Sequence, residues 1–195
     1  SSARGAGSIC GETWKGCNKK VAAVDFNREI NFDGQSYEVV IVGAGAAGLF
    51  LASILSKRKK VLVLESGHFA VDPERQRLNE IEQTGKRRRA IGGTTLAWGG
   101  QSLPFAPSDF ACWPFGRSEL ERHYREANRA MRVDERDYEE GTFRYLGIKQ
   151  PAFDPTKVWF HCSKWAPEPN FREIFCKEIE RSFTILFNAQ FLGAE

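Results

Sequence analysis

An α/β fold built on a parallel sheet is predicted by three features: an apolar, β-branched run at Glu38-Val39-Val40-Ile41-Val42, a second run at Val61-Leu62-Val63-Leu64, and between them a glycine turn leading into an apolar helical stretch. Strands buried on both faces read as continuous apolar runs rather than alternating ones, and both runs have that texture. Two parallel strands joined through a helix form a unit of about 30 residues whose crossover is right-handed.

The elements follow in order. The first strand begins where the texture changes at Tyr37. Gly43 to Gly48 interrupts it, and Leu49 to Lys57 reads as a helix apolar on most sides, ending in the solvated run Lys57-Arg58-Lys59-Lys60. The second strand ends at Glu65. Val71 to Arg89 is polar and charged and is expected to be a helix, closing on the basic run Lys86-Arg87-Arg88-Arg89 before a second glycine cluster at Gly92 and Gly93. Ser118 to Met131 opens like a helix, with Ser118 as its cap and acidic residues in the first turn. Phe171 to Phe183 is a further helical stretch, and Thr184 to Leu192 a final strand. Residues 1 to 36, rich in Gly, Ser, Lys and Asn, are expected to form a loosely packed arm without assigned function. No internal repeat or low-complexity tract is present.

With 195 residues, 42% hydrophobic and 27% charged, the chain has the material for one medium domain and a small appendage. A formal net charge of +3 argues against a nucleic-acid partner, because phosphate-binding proteins concentrate far more positive charge on one face. The basic runs have acidic residues nearby and read as solvated helix ends. Five scattered cysteines (Cys10, Cys17, Cys112, Cys162, Cys176) without a C-x-x-C pair indicate neither a zinc site nor a disulfide framework. No stretch has the roughly 18 consecutive apolar residues of a membrane span, nor the N-terminus the apolar core of a secretory leader. A cytoplasmic protein is the expectation.

Gly43-Ala44-Gly45-Ala46-Ala47-Gly48 is a G-x-G-x-x-G set between a strand and a helix, the context that gives the pattern meaning. Gly43 permits the tight turn, Gly45 lets a pyrophosphate approach the backbone, and Gly48 lets helix and strand pack closely. The helix N-terminus, with Ala46 and Ala47 in its first turn, offers unpaired N–H groups and a partial positive charge to the phosphates. Glu65, 22 positions after Gly43, stands where an acidic side chain accepts hydrogen bonds from ribose hydroxyls and repels a 2′-phosphate, with Ser66 beside it. Dinucleotide binding is therefore expected.

The first motif does not separate NAD from FAD, since both present an ADP half to the same turn. The second cluster, Arg89-Ala90-Ile91-Gly92-Gly93-Thr94-Thr95-Leu96-Ala97-Trp98-Gly99-Gly100-Gln101, does. It resembles the segment of the glucose-methanol-choline oxidoreductases that runs along the FAD pyrophosphate and under the flavin ring. Backbone amides free of side-chain bulk, with the Thr94 and Thr95 hydroxyls, suit phosphate and ring acceptors. The resemblance extends through Leu103-Pro104, Asp109-Phe110, Trp113-Pro114-Phe115, Leu120, Tyr124, Trp165-Ala166-Pro167, Phe171 and Asn188-Ala189, and looks closest to the branch acting on sugars and sugar-like alcohols.

The resemblance implies a Rossmann-like FAD-binding domain with an incomplete parallel sheet and part of a lid or substrate region. Residues 37 to 110 would be the βαβ core and flavin loop, 111 to 170 the lid side, and 171 to 195 a helix and strand returning to the first domain. It implies FAD as cofactor, an alcohol or sugar as small-molecule substrate, Arg89 as a further phosphate contact, Trp98 beside the flavin, and Phe191 at the adenine through its backbone. Pyranose oxidases carry a His just before the shared Trp; here that position is Ala97, so the FAD is expected to be noncovalent. The family's catalytic His and its His or Asn partner lie near the C-terminus of longer chains. His68, His123 and His161 do not sit in that context, so no catalytic residue is assigned. A fragment of such an enzyme would leave an exposed sheet edge and dissolve poorly alone. The alternative expectation is a non-catalytic module that keeps the fold without the chemistry.

Overall fold

A computed structural model describes residues 23–26, 35–72, 88–150, 152–154, 157–158 and 160–193. These divide into two compact units, one comprising the described residues through Ala97 together with those from Asn170 onward, the other Trp98–Pro169. The division falls before Trp98 and after Pro169, so the segment read as one flavin loop contributes residues to both units, and the boundary expected near residue 110 is not where the chain separates.

In the first unit, β1 (Ala23–Asp25), β2 (Val39–Val42), β3 (Val61–Glu65) and β6 (Thr184–Phe187) form one all-parallel sheet in the order β1-β6-β3-β2. Val40 pairs with Leu62, Val63 with Ile185, and Val24 with Leu186, which fixes the register across all four strands. Helix α1 (Ala46–Leu55) crosses from β2 to β3. Its Leu49 and Ala52 are fully buried, as are Val63 and Ile185, so the core lies on the α1 side of the sheet, where parallel strands need helical cover. On β2, an edge strand, Val40 and Val42 are 52% and 58% exposed.

Several sequence expectations are corrected here. Residues 23–25 are not part of a loose arm but the outer strand of the sheet, paired with β6. Ala23-Val24-Asp25, three residues ending in a carboxylate, is too short a signal to stand out until a partner strand supplies its hydrogen bonds. Helix α1 starts at Ala46 rather than Leu49, because the second half of the glycine motif is already its first turn. The stretch from Phe171 to Phe183 is two short helices, α4 (Phe171–Ile174) and α5 (Cys176–Arg181), broken at Phe175, whose buried ring packs edge-to-face with Phe171. Strand β6 stops at Phe187 because Asn188 turns to φ +59, a left-handed conformation Asn tolerates, and its amide donates to Asp25. The helix expected from Val71 to Arg89 falls almost wholly outside the described residues.

The second unit contains β4 (Gln101–Ser102) and β5 (Lys164–Trp165), an antiparallel pair, with helices α2 (Arg117–Ala130) and α3 (Glu140–Leu146). The cap of α2 is Gly116, not Ser118: Glu119 Oε1 accepts the Gly116 N–H at 3.3 Å, a reciprocal arrangement that sets the start two residues earlier. A polar network joins its pieces. Tyr138 donates to Asn128 Oδ1 at 2.7 Å and meets Ser102 Oγ at 3.1 Å, and the buried Lys164 ammonium donates to the Asp134 carbonyl and carboxylate and to the Arg136 carbonyl. A lysine is retained in such a place only when its donors are matched, as they are here. Among the described residues Cys112, Cys162 and Cys176 are free thiols, no cluster of metal-binding side chains occurs, and no helix is long and apolar enough to cross a membrane.

Candidate functional site

Strand β2 delivers the chain to Gly43, whose φ of +98 is open to glycine and strained for other residues. The following residues turn into α1. A Cβ on Gly48 would overlap the Gly43 carbonyl oxygen, so the close packing of helix on turn requires glycine there. Around Gly45 the situation is opposite. A Cβ there would have nothing within 4 Å, and no side chain caps the α1 N-terminus, leaving backbone and helix end open to an approaching group. Ala46 and Ala47 form the first turn of that helix.

Glu65 closes β3 with its carboxylate turned inward. Oε2 accepts the Ala44 N–H at 2.8 Å and Oε1 the Gly67 N–H at 2.7 Å, and only 7% of the residue is exposed. Burial raises its pKa above the ordinary carboxylate range, a rise moderated by the two amides and by the nearby Arg89 guanidinium. The residue expected to receive a ribose thus also straps the glycine loop to the end of β3.

The second glycine cluster docks directly on the first. Gly92 N–H donates to the Ala44 carbonyl at 2.8 Å, and a Cβ on Gly93 would come within 2.9 Å of Gly45 Cα. Both glycines have positive φ, +100 and +56. The approach to this position depends on Gly67, which the sequence reading did not single out. Any Cβ there would overlap the backbone of Arg89 and Ala90, which cross over it as His68 bridges Ala90 and Ile91 donates to the His68 carbonyl. A glycine two residues after the acidic end of the second strand was the available signal.

Thr94 and Thr95 part company. Thr94 is exposed. Thr95 is buried, its hydroxyl donating to the Gly92 carbonyl at 2.6 Å and accepting the Phe171 N–H at 3.1 Å. The expectation that Thr95 offers its proton to a phosphate or ring is therefore corrected: that proton holds the Gly93–Leu96 turn. A hydroxyl's use is decided by which acceptor folding brings near it.

A cleft of about 190 Å³ brings together Gly43, Ser66, Arg89 and Phe191, with Val42, Leu64, Ala189 and Gln190 completing its lining. Arg89 reaches the Ser66 carbonyl at 3.5 Å, and Ala189 N–H donates to the Glu65 carbonyl, so the β6 end is tied to the β3 end beside the glycine turn. This is the carboxyl edge of the strands, where open α/β sheets bind ligands. Trp98, Gly99 and Gly100 belong to the second unit, where the indole of Trp98 donates to the Pro169 carbonyl at 2.7 Å. None of the three histidines lines the cleft: His68 packs its ring edge against Phe187, and His123 pairs with Glu126 on the surface.

A parallel sheet, a glycine turn opening a helix and an acidic residue ending the next strand define a Rossmann-like, nucleotide-binding α/β domain. In agreement, residues 41–70 match the family model of the NAD(P)-binding Rossmann-like domain. A dehydrogenase of Armillaria gallica is 40% identical over 77 residues, 38% of this chain and 12% of the relative. Among solved structures, pyridoxine 4-oxidase from Mesorbium loti superposes over 46% of this chain and 24% of its own, with TM-score 0.36 and 27% identity. L-amino acid deaminase from Proteus vulgaris does so over 82% and 42%, with TM-score 0.39 and 15% identity. The chain spans less than half the length of each of these proteins.

Proposed function

We propose that this chain is the FAD-binding part of an oxidoreductase that oxidises the CH–OH group of an alcohol or sugar. The observation that carries the reading is the docking of the second glycine cluster on the first, Gly92 on Ala44 and Gly93 against Gly45, which places a second bulk-free backbone segment beside the dinucleotide turn. A plain dinucleotide turn does not call for that segment. The open approach at Gly45 and the uncapped N-terminus of α1 suit a pyrophosphate. The cleft of Ser66, Arg89 and Phe191 suits the adenosine end, with Glu65 nearby for the ribose. FAD, when bound, supplies the hydride acceptor. This chain's contribution is to hold and orient it without a covalent bond, Ala97 standing where a linking histidine would be needed.

The dehydrogenase likeness over 77 residues supports oxidoreductase chemistry in the coarser sense. A second reading is a nucleotide-binding module without catalysis, since His68 packs on Phe187 and His123 pairs with Glu126, and neither is set up as a base. The test is an absorbance spectrum of the purified chain before and after acid precipitation, followed by titration with FAD and with NADH. Flavin bands that leave with the supernatant support the proposal. A colourless protein that binds NADH and ignores FAD overturns it, and a full-length protein that binds FAD but whose flavin no alcohol or sugar reduces selects the second reading.

A further inference from the structure

The second unit has a cavity of its own, of about 350 Å³, lined among others by Arg132, Asp134, Arg136, Tyr145, Leu146 and Trp165. Its wall is built rather than incidental. Lys164 beneath it ties down the Asp134 and Arg136 carbonyls, while the Arg136 guanidinium lies 3.6 Å from the Tyr145 ring centre and 3.2 Å from the Asp134 carboxylate. Asp134 is therefore shared between two cations, Lys164 and Arg136.

Arg132 is the third cation, and no carboxylate of the described residues pairs with it. It follows the last turn of α2 at φ +57, the left-handed position that glycine takes without strain. A helix end favours a cation, yet any site in the last turn would serve that purpose. What the left-handed position does is place a guanidinium at this cavity. Beside it stand Trp165, Tyr145 and Leu146, 62%, 66% and 53% exposed. Excess positive charge beside the exposed Trp165 indole, the Tyr145 face away from Arg136 and the Leu146 side chain matches a ligand with the reverse pattern.

We propose that this cavity binds a small carboxylate with a flat apolar body, the carboxylate on Arg132 and the body against Trp165 and Tyr145. The site lies wholly within the second unit and does not depend on the proposed flavin chemistry.

Benzoate and its uncharged analogue benzyl alcohol are the probes, titrated into the full chain while the indole resonances are followed by NMR, with Trp165→Leu assigning the relevant one. Benzoate is expected to shift the Trp165 signal saturably and benzyl alcohol at least about tenfold more weakly, as loss of a charge-assisted contact entails. Arg132→Gly suits the same backbone conformation, so the fold is retained, and should weaken benzoate by a similar factor, with Arg132→Lys between. Equal binding of the two probes, undiminished benzoate binding by Arg132→Gly, or no saturable shift each overturns the proposal.

Discussion

Glu65 accepts the N–H of Ala44 at 2.8 Å, so the acidic end of one strand holds the glycine turn that follows its neighbour. The same carboxylate holds Gly67, whose lack of a side chain lets the second glycine cluster reach the first. Three sequence features thus share one set of contacts.

A pH dependence follows from the raised pKa of Glu65. The native state holds the Glu65 proton more tightly than the unfolded chain, so the stabilisation it represents is fully present below the ordinary carboxylate range and is lost as pH rises through the raised folded value. Glu65→Gln should flatten that slope in denaturant titrations across the acid range. It should also cost about 1–3 kcal/mol, because its amide group offers a donor where one of two backbone N–H groups needs an acceptor.

Gly45→Ala and Gly48→Ala should behave oppositely. The first adds a methyl where nothing lies within 4 Å, on a backbone with φ of −79, so thermal stability should change by only a few tenths of a kcal/mol while dinucleotide affinity falls. The second forces a Cβ into the Gly43 carbonyl and should destabilise by about 3 kcal/mol. Melting curves with and without FAD separate the two effects.

Gly67→Ala should be at least as damaging, since the overlap is with the Arg89 and Ala90 backbone and not with a movable side chain. The expected signature is loss of cofactor retention together with enhanced proteolysis near residue 89.

Thr95→Val is close in shape but leaves the Phe171 N–H without the oxygen it donates to at 3.1 Å. A loss of about 1–3 kcal/mol is expected in chemical denaturation, the cost of a buried unpaired donor. If the Thr95 hydroxyl acted chiefly on a ligand, stability would be unchanged and only affinity would fall.

The central fold was readable because its signals are local. Two apolar runs, a glycine turn and the position of Glu65 each follow from backbone sterics and strand burial, and the observed β2, α1 and β3 lie where those rules put them. What escaped reading depended on partners distant in sequence. Ala23–Asp25 is a strand only because β6, some 160 residues later, stands beside it. Phe171 to Phe183 breaks at Phe175 because that ring is buried among others, which outweighs helical continuity.

The amino-acid sequence alone determined that this chain builds a dinucleotide turn, since only glycine satisfies the positive φ at Gly43 and the clearance at Gly48. Tertiary structure alone decided which polar groups remain for a ligand. It turned Thr95 inward, folded the Glu65 carboxylate onto two backbone amides so that only its remaining lone pairs are left for a ribose, and left Gly45, Ser66 and Arg89 facing open space or the cleft. The reason is physical: a buried donor or acceptor takes the partner that folding brings within reach, and residue type does not specify which one that will be.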